Sequence, residues 1–211
     1  MKVRLKILLD EPRGSAWRSS ARGVNCPVKS GKYVSDMSRK LKLNPKISYM
    51  LGLYSHCNQE KSAIGITVDN SRTIEKFVEI SLKEFNVQPN RILISEEGRD
   101  TKALFYNSKL RNLFDKTIAR KSKLFKYKNA YAMEYIAGVF DACGKVDNRG
   151  IFMEGIDRED QMILENLGIH ILQKGKRNYI INDSFFIMFI KEFSMRLSYI
   201  AHIPGNERDP H

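Results

Sequence analysis

Two stretches of this chain repeat one order of predicted secondary structure, and this repeat most limits the folds open to the sequence. In the first, a helix after Asn44-Pro45 precedes a strand (62–69), a helix capped by Ser71, a strand pair (91–95 and 102–106) and a basic helix (108 to about 121). In the second, a helix (131–143) precedes a strand (150–156), a helix (157–167), a hairpin (169–173 and 178–181) and a final helix (183–200). An α-β-α-β-β-α order that occurs twice predicts an internal duplication.

A glycine lies inside the first helix of each stretch. Gly52 and Gly138 are 86 positions apart. Glycine in a helix interior costs about 1 kcal/mol relative to alanine, so its presence needs a reason. The close approach of a partner helix supplies one, and we predict that the two helices pack together at Gly52 and Gly138. Gly144, just after the second helix, suits the left-handed position that ends many helices, and Asn58 fills the same place in the first stretch.

Residues 136–144, with the sequence IAGVFDACG, resemble the LAGLIDADG motif of homing endonucleases, inteins and intron maturases. Residues 50–58, MLGLYSHCN, resemble it more weakly. The alternative is an apolar stripe on a buried helix, which leaves Gly138 unexplained. The resemblance implies an α+β fold of two LAGLIDADG-like αββαββα repeats related by a pseudo-twofold axis. It also implies that the motif helices pack at the centre and that a saddle of strands lies along double-stranded DNA.

The resemblance further implies where an active member binds metal, and the chain departs from the family there. In active members the acid just before the last motif residue of each helix binds divalent metal beside the scissile phosphates. Cys57 and Cys143 occupy these positions, while Asp141 is an earlier motif acid that is less closely tied to metal. Mg²⁺ prefers oxygen ligands, so the main ligands for metal-assisted hydrolysis are missing. We predict no catalytic residue, no metal site and no cofactor, with Mg²⁺ bound only if the chain is an active endonuclease.

Because Cys57 and Cys143 occupy the same position of their repeats, we predict that they lie close together across the helix pair. Three states are open: two buried thiols that act as small apolar fillers, a disulfide, or a soft-metal site that includes His56. The chain has three cysteines, and an odd, widely spaced number argues against a secreted disulfide scaffold.

The net charge of +12 is concentrated in two segments: residues 1–46 carry +9 and residues 107–128 carry +7. One charged run is often only a solvated face, but two runs beside nearly neutral units favour a polyanionic partner such as nucleic acid. Only 12 residues separate Asn58 from Ser71, and 12 separate Gly144 from Asp157, so each first hairpin is short and base readout should be reduced. The cations predicted to contact nucleic acid are Arg13, Arg18, Arg22, Lys61, Arg91, Arg99, Lys102, Lys121, Lys123, Lys126, Lys128, Lys145, Arg149, Lys174, Lys176 and Arg177.

These observations divide the chain into a basic N-terminal arm (1–43), a first LAGLIDADG-like repeat (44–121), a basic linker (122–129) and a second repeat (130–211). No stretch approaches the roughly 20 apolar residues of a membrane-spanning helix, and no signal peptide is evident. We therefore expect a cytoplasmic protein without a membrane partner, and the resemblance to two-repeat LAGLIDADG proteins implies a monomer.

Three functions are compatible with the sequence. The first is a DNA- or RNA-binding protein that resembles homing endonucleases but does not cleave, which the basic segments favour. The second is an active site-specific double-stranded DNA endonuclease, which an intact acid pair would have favoured. The third is an RNA maturase-like or ribonucleoprotein interaction protein, which a neutral charge across the strands would favour.

Overall fold

The computed structural model of this chain describes residues 41–57 and 62–200. The elements of the first half are α1 (Pro45–Ser55), β1 (Ala63–Val68), α2 (Ser71–Phe85), β2 (Leu93–Glu97), β3 (Asp100–Tyr106) and α3 (Ser108–Ile118). A short helix, α4 (Lys121–Leu124), connects them to the second half. There the elements are α5 (Ala130–Cys143), β4 (Gly144–Asp147), β5 (Gly150–Glu154), α6 (Arg158–Asn166), β6 (Ile171–Lys174), β7 (Arg177–Ile180), α7 (Asp183–Ile190) and α8 (Met195–Ile200).

The predicted α+β class is confirmed, and the two halves have similar orders of elements. The first half forms an antiparallel sheet with the strand order β1-β3-β2, and the second half forms one with the order β4-β5-β7-β6. The second half has one more strand because β4 and β5 make a short first hairpin, in which β4 has four residues. This agrees with the short first hairpin expected from the 12 residues between Gly144 and Asp157.

Asparagine side chains begin several helices. The side-chain oxygens of Asn44, Asn70, Asn107 and Asn129 each accept a backbone N–H of the first turn of α1, α2, α3 and α5. These contacts satisfy amides that have no partner inside the helix. The prediction that Ser71 caps α2 is therefore wrong by one residue. The basic helix also stops at Ile118 rather than near Lys121, and part of the predicted linker is helical in α4.

The predicted continuous helix over 183–200 is wrong, because the chain breaks between α7 and α8. The carboxylate of Asp141 accepts the backbone N–H of Met195 at 2.7 Å and of Arg196 at 3.1 Å. It also accepts the hydroxyl of Ser194 at 2.5 Å. Asp141 thus satisfies amides at the start of α8 and stabilises a new helix start there.

Helices α1 and α5 form the centre of the fold and are buried on nearly every side. A Cβ added to Gly52 would lie 2.1 Å from the carbonyl oxygen of Tyr135, and one added to Gly138 would lie 2.1 Å from the carbonyl oxygen of Tyr49. The two contacts are reciprocal, since Tyr49 and Tyr135 each precede their glycine by three residues. The structure therefore places both glycines where the helix backbones touch.

Gly144 does not have the left-handed conformation that the sequence suggested, since its φ is −81° and it leads directly into β4. An added Cβ would lie 2.2 Å from a ring carbon of Phe140. Crowding by that ring is the reason for glycine at this position. Asn58 lies outside the described residues.

One hydrophobic core joins the two halves. It takes side chains from the central helices, from the inner faces of both sheets and from α2, α3, α6 and α7. Within the described residues, every helix is too short or too polar to cross a membrane.

Candidate nucleic-acid interface

Two neutral thiols occupy the C-terminal end of the central helix pair. Cys57 follows α1 and Cys143 ends α5, both are partly buried, and no disulfide joins them. Burial raises the pKa of Cys57 to about 11. Burial, the charge of Asp160 and the neighbouring Cys57 raise the pKa of Cys143 to about 12. With pKa values this high, both thiols are protonated at neutral pH, and their close approach across the helix pair stays a prediction.

A buried carboxylate beside this pair ties four helices together. Asp160 of α6 is fully buried. One of its oxygens lies 2.7 Å from His56 Nε2 and accepts from Lys121 Nζ at 2.8 Å. The other accepts the hydroxyl of Tyr135 at 2.7 Å. Lys121 is 2% exposed and also binds Asp157 at 2.5 Å. The cluster connects α4, α5 and α6 with the residue that follows the last turn of α1.

The prediction from the sequence that Lys121 contacts nucleic acid is wrong. Its ammonium group is buried against Asp157 and Asp160, so it cannot reach a phosphate. Sequence reasoning also missed Asp160 and Tyr135. The signal that pointed toward this cluster was His56, which stands where the LAGLIDADG motif has a small residue.

The pKa of Asp160 predicts an acid-sensitive contribution to stability. Burial raises this pKa, but the hydrogen bond and charge of His56, together with Lys121, outweigh burial and lower it to about 2. A carboxyl with a depressed folded-state pKa contributes stability that is complete above its unfolded pKa of about 3.9 and is lost as the pH falls through the folded value. We expect the stability difference between the natural protein and Asp160→Asn to shrink by about 2 kcal/mol between pH 5 and pH 2.

Urea unfolding of both proteins across this range measures the difference. Glu79→Gln is the control, because Glu79 is exposed and its pKa is lowered chiefly by one surface hydrogen bond from Lys83. A difference for Asp160→Asn that stays constant from pH 5 to pH 2 would contradict the assignment.

Asp141, the surviving motif acid, is committed to internal contacts. It is fully buried and accepts the Tyr49 hydroxyl at 2.6 Å in addition to the groups at the start of α8. Burial raises its pKa, and the hydrogen bonds from Ser194 and Tyr49 act in the opposite direction. Its surroundings are those of a structural carboxylate.

The residues at this end of the helix pair do not fit a Mg²⁺ centre. The two sulfur atoms are protonated and soft, whereas Mg²⁺ requires oxygen ligands in an octahedral arrangement. The oxygens of Asp141 and Asp160 are already occupied by protein donors. Among the residues that the structure describes, no group of three or more His, Cys, Asp or Glu side chains could hold a metal ion.

The outward face of the second sheet carries cations that are paired with carboxylates of the same sheet. Lys145 binds Glu154 at 2.9 Å, and Arg177 binds Glu154 at 3.1 Å and Asp147 at 3.4 Å. Arg177 also lies over the Phe152 ring at 4.7 Å. A phosphate would have to compete with these pairs, so this face offers less positive potential than its lysines and arginines suggest.

The first sheet repeats this pairing in a simpler form. Lys102 of β3 is partly buried and binds Glu97 of β2 at 3.2 Å. The register places Asp100 on the same face as Lys102. On the strands of both sheets, Lys102, Lys145 and Arg177 are therefore internally paired.

The exposed tips of three hairpins each present one cation. Arg99, Arg149 and Lys176 occupy the two-residue turns β2–β3, β4–β5 and β6–β7. Arg91, before β2, is also exposed, and Lys174 lies 5.9 Å from the Tyr179 ring. None of these five side chains forms an ion pair with a described residue, although Asp147 accepts the backbone N–H of Arg149 at 2.8 Å. Arg13, Arg18, Arg22 and Lys61 lie outside the described residues.

The segment between α3 and α5, residues 119–129, is hereafter the connecting segment. Arg120, Lys123, Lys126 and Lys128 are exposed there, and the segment contains no acid of its own. None of these four forms an ion pair with a described residue. The connecting segment therefore holds the densest group of unneutralised cations in the described part of the chain.

The fold described above is that of the LAGLIDADG homing endonucleases. The crystal structure of I-DmoI in complex with DNA and Ca is similar with a TM-score of 0.55 at 16% identity, over 75% of this chain and 97% of that chain. The N-terminal LAGLIDADG domain of DUF199/WhiA gives a TM-score of 0.52 at 13% identity, over 71% and 80%. Full-length DUF199/WhiA from Thermatoga maritima gives 0.53 at 14%, over 74% of this chain and 58% of that one.

No protein-family model matches the chain, and no curated protein sequence gives a significant match. At 13–17% identity these similarities establish the fold.

Proposed function

We infer that this protein binds nucleic acid and does not hydrolyse it with a divalent metal ion. The observation that carries this proposal is the pair of cysteines, Cys57 and Cys143, which occupy the two motif positions where the resemblance to LAGLIDADG endonucleases implies metal-binding acids. Without hard oxygen ligands there, the chain cannot position a Mg²⁺ ion beside a phosphodiester. Cytoplasmic location and a monomeric state stay predictions.

Binding is supported by the positive charge and by the fold. The connecting segment and the hairpin tips present exposed cations whose side chains form no ion pair with a described residue, and I-DmoI, which has this fold, is found in complex with DNA. Each cation that neutralises a phosphate releases condensed counterions, which gives affinity without base recognition.

We expect the salt dependence of binding to identify which cations contact phosphate. In Lys123→Ala/Lys126→Ala/Lys128→Ala, the slope of log affinity against log salt on duplex DNA should fall by about 0.9 for each phosphate that is no longer neutralised. The matched control, Lys145→Ala/Lys174→Ala/Arg177→Ala, removes three cations from the second sheet. Its slope should change less, because Lys145 and Arg177 are already paired. Fluorescence anisotropy over a salt series measures both slopes, and an unchanged slope in the first variant would contradict the proposal.

A second candidate is an interaction protein that holds another macromolecule on its sheets. The observation that favours it is the internal ion pairing of Lys102, Lys145 and Arg177, which leaves the strand faces close to neutral. This candidate would be favoured if both triple variants kept the natural protein's slope of log affinity against log salt.

A further inference from the structure

The connecting segment is fixed at two points along its length. Lys121 is buried in ion pairs with Asp157 and Asp160, and Phe125 is 1% exposed and stacks on Tyr135 with ring centroids 4.2 Å apart. Both anchors lie on one side of a stretch of five residues. Between and after these two anchors, the side chains of Lys123, Lys126, Tyr127 and Lys128 are exposed, whereas Leu124 packs against the core.

Tyr127 is the aromatic side chain that this arrangement exposes. Its residue is 63% exposed, and Lys126 Nζ lies 4.6 Å from the centroid of its ring. Lys128 follows directly and lies over Phe185 at 5.3 Å. Tyr131, in the first turn of α5, is 39% exposed. The Tyr127 ring, between two lysines on an anchored segment, presents an accessible aromatic face beside two positive charges.

We propose that Tyr127 and the lysines around it form a binding site for unpaired nucleotides, in which a base stacks on the Tyr127 ring and Lys123, Lys126 and Lys128 contact the adjoining phosphates. The inference rests on the proposed function and deepens it by naming the form of nucleic acid. Stacking on an aromatic face requires a base whose own face is open, which a paired base inside a duplex does not offer. Lysines flanking the ring supply the phosphate contacts that follow the strand.

This site is separate from the end of the helix pair that carries the cysteines. Asn129 caps the first turn of α5 and Cys143 is its last residue, and the 14-residue helix between them is roughly 20 Å long. Tyr127 precedes that cap. A nucleic-acid strand bound at Tyr127 would therefore lie at the opposite end of α5 from Cys143 and β4.

The test uses the full chain and three labelled probes: a 12-nucleotide oligo(dT), a 12-nucleotide oligo(U) and a 12-base-pair DNA duplex, measured by fluorescence anisotropy at one salt concentration. Tyr127→Ala should weaken binding of the single strands by about 5- to 150-fold, the usual contribution of one stacked base, and leave duplex binding unchanged. Tyr127→Phe is the matched control, because it keeps the ring and should bind as the natural protein does. Tyr127 is exposed, so neither variant should lose its fold.

The probes separate the possible outcomes. Loss confined to oligo(U) or to oligo(dT) would show which of the two strands the site binds by stacking and would support the proposal. The proposal would be overturned if Tyr127→Ala bound the single strands as tightly as the natural protein does, whether or not duplex binding changes. A natural protein that binds none of the three probes would overturn the proposed function as well.

Discussion

Gly138→Ala is expected to lose at least about 3 kcal/mol of unfolding free energy, at the upper end of what overpacking a core usually costs. The added Cβ would lie 2.1 Å from the Tyr49 carbonyl oxygen and 3.0 Å from the Leu53 amide nitrogen. Both are backbone atoms of α1, so no side chain can move aside to make room. The helices would have to separate, although alanine is the better helix former.

Urea unfolding measures the loss, and Gly98→Ala is the control. Gly98 lies in a turn with φ +69° and has nothing within 4 Å of an added Cβ, so that substitution introduces backbone strain alone. Such strain costs about 1–2 kcal/mol. A Gly138→Ala protein that is no less stable than Gly98→Ala would contradict the close helix contact. Gly52→Ala should behave like Gly138→Ala, because its contact with Tyr135 is the reciprocal one.

Asp160→Ala is expected to destabilise the protein by about 3–5 kcal/mol at pH 7, the usual result of removing one member of a buried ion pair. Lys121, with a side chain 3% exposed, would be left with only the more exposed Asp157 as an ion-pair partner. The Tyr135 hydroxyl and His56 Nε2 would also be left without their carboxylate partner. An unmatched buried polar group retains its full desolvation penalty.

Asp157→Asn is the matched control for Asp160→Ala. Its side chain is 57% exposed, and the asparagine can still accept the Asp160 amide at the start of α6. We expect a change within about 1 kcal/mol, because the Asp157 carboxylate is largely solvated and Lys121 keeps Asp160 as its partner. Thermal or urea unfolding that gives equal losses for the two variants would show that the cluster is not centred on Asp160.

The features of the fold that could be predicted from the sequence are those determined by residues close together in the chain. Mid-helix glycines such as Gly138 have few local uses, so they indicated a helix contact. The strand over 62–69 alternates apolar residues, and the structure places β1 at Ala63–Val68. Both signals depend on residues that are close together in the chain.

The parts that the sequence could not predict depend on distant partners. Asp160 meets His56 across 104 positions and Lys121 across 39, and nothing local distinguishes Lys121 from its exposed neighbours. The break before α8 arises because Asp141, more than 50 positions earlier, binds the amides of Met195 and Arg196. Tertiary contacts overrode the helical pattern of residues 183–200.

The same limit applies to charge. The sequence identifies Lys145 and Arg177 as cations, but only the antiparallel register shows that Glu154 lies between them. Strand pairing therefore determines which cations can bind phosphate. For this reason the connecting segment, rather than the sheets, is the stronger candidate interface.

The measurement that tests the central claim most directly is a supercoiled-plasmid assay with purified protein over a Mg²⁺ series, in which each sample is divided between a mobility-shift gel and a gel that resolves nicked and linear forms. We predict a shifted plasmid with no nicked or linear product at any Mg²⁺ concentration, for the natural protein and for Cys57→Ala/Cys143→Ala alike. A plasmid that is not shifted would contradict the claim that the chain binds nucleic acid. Nicked or linear product that increases with Mg²⁺, and that the double cysteine variant does not make, would contradict the claim that the chain binds without cutting.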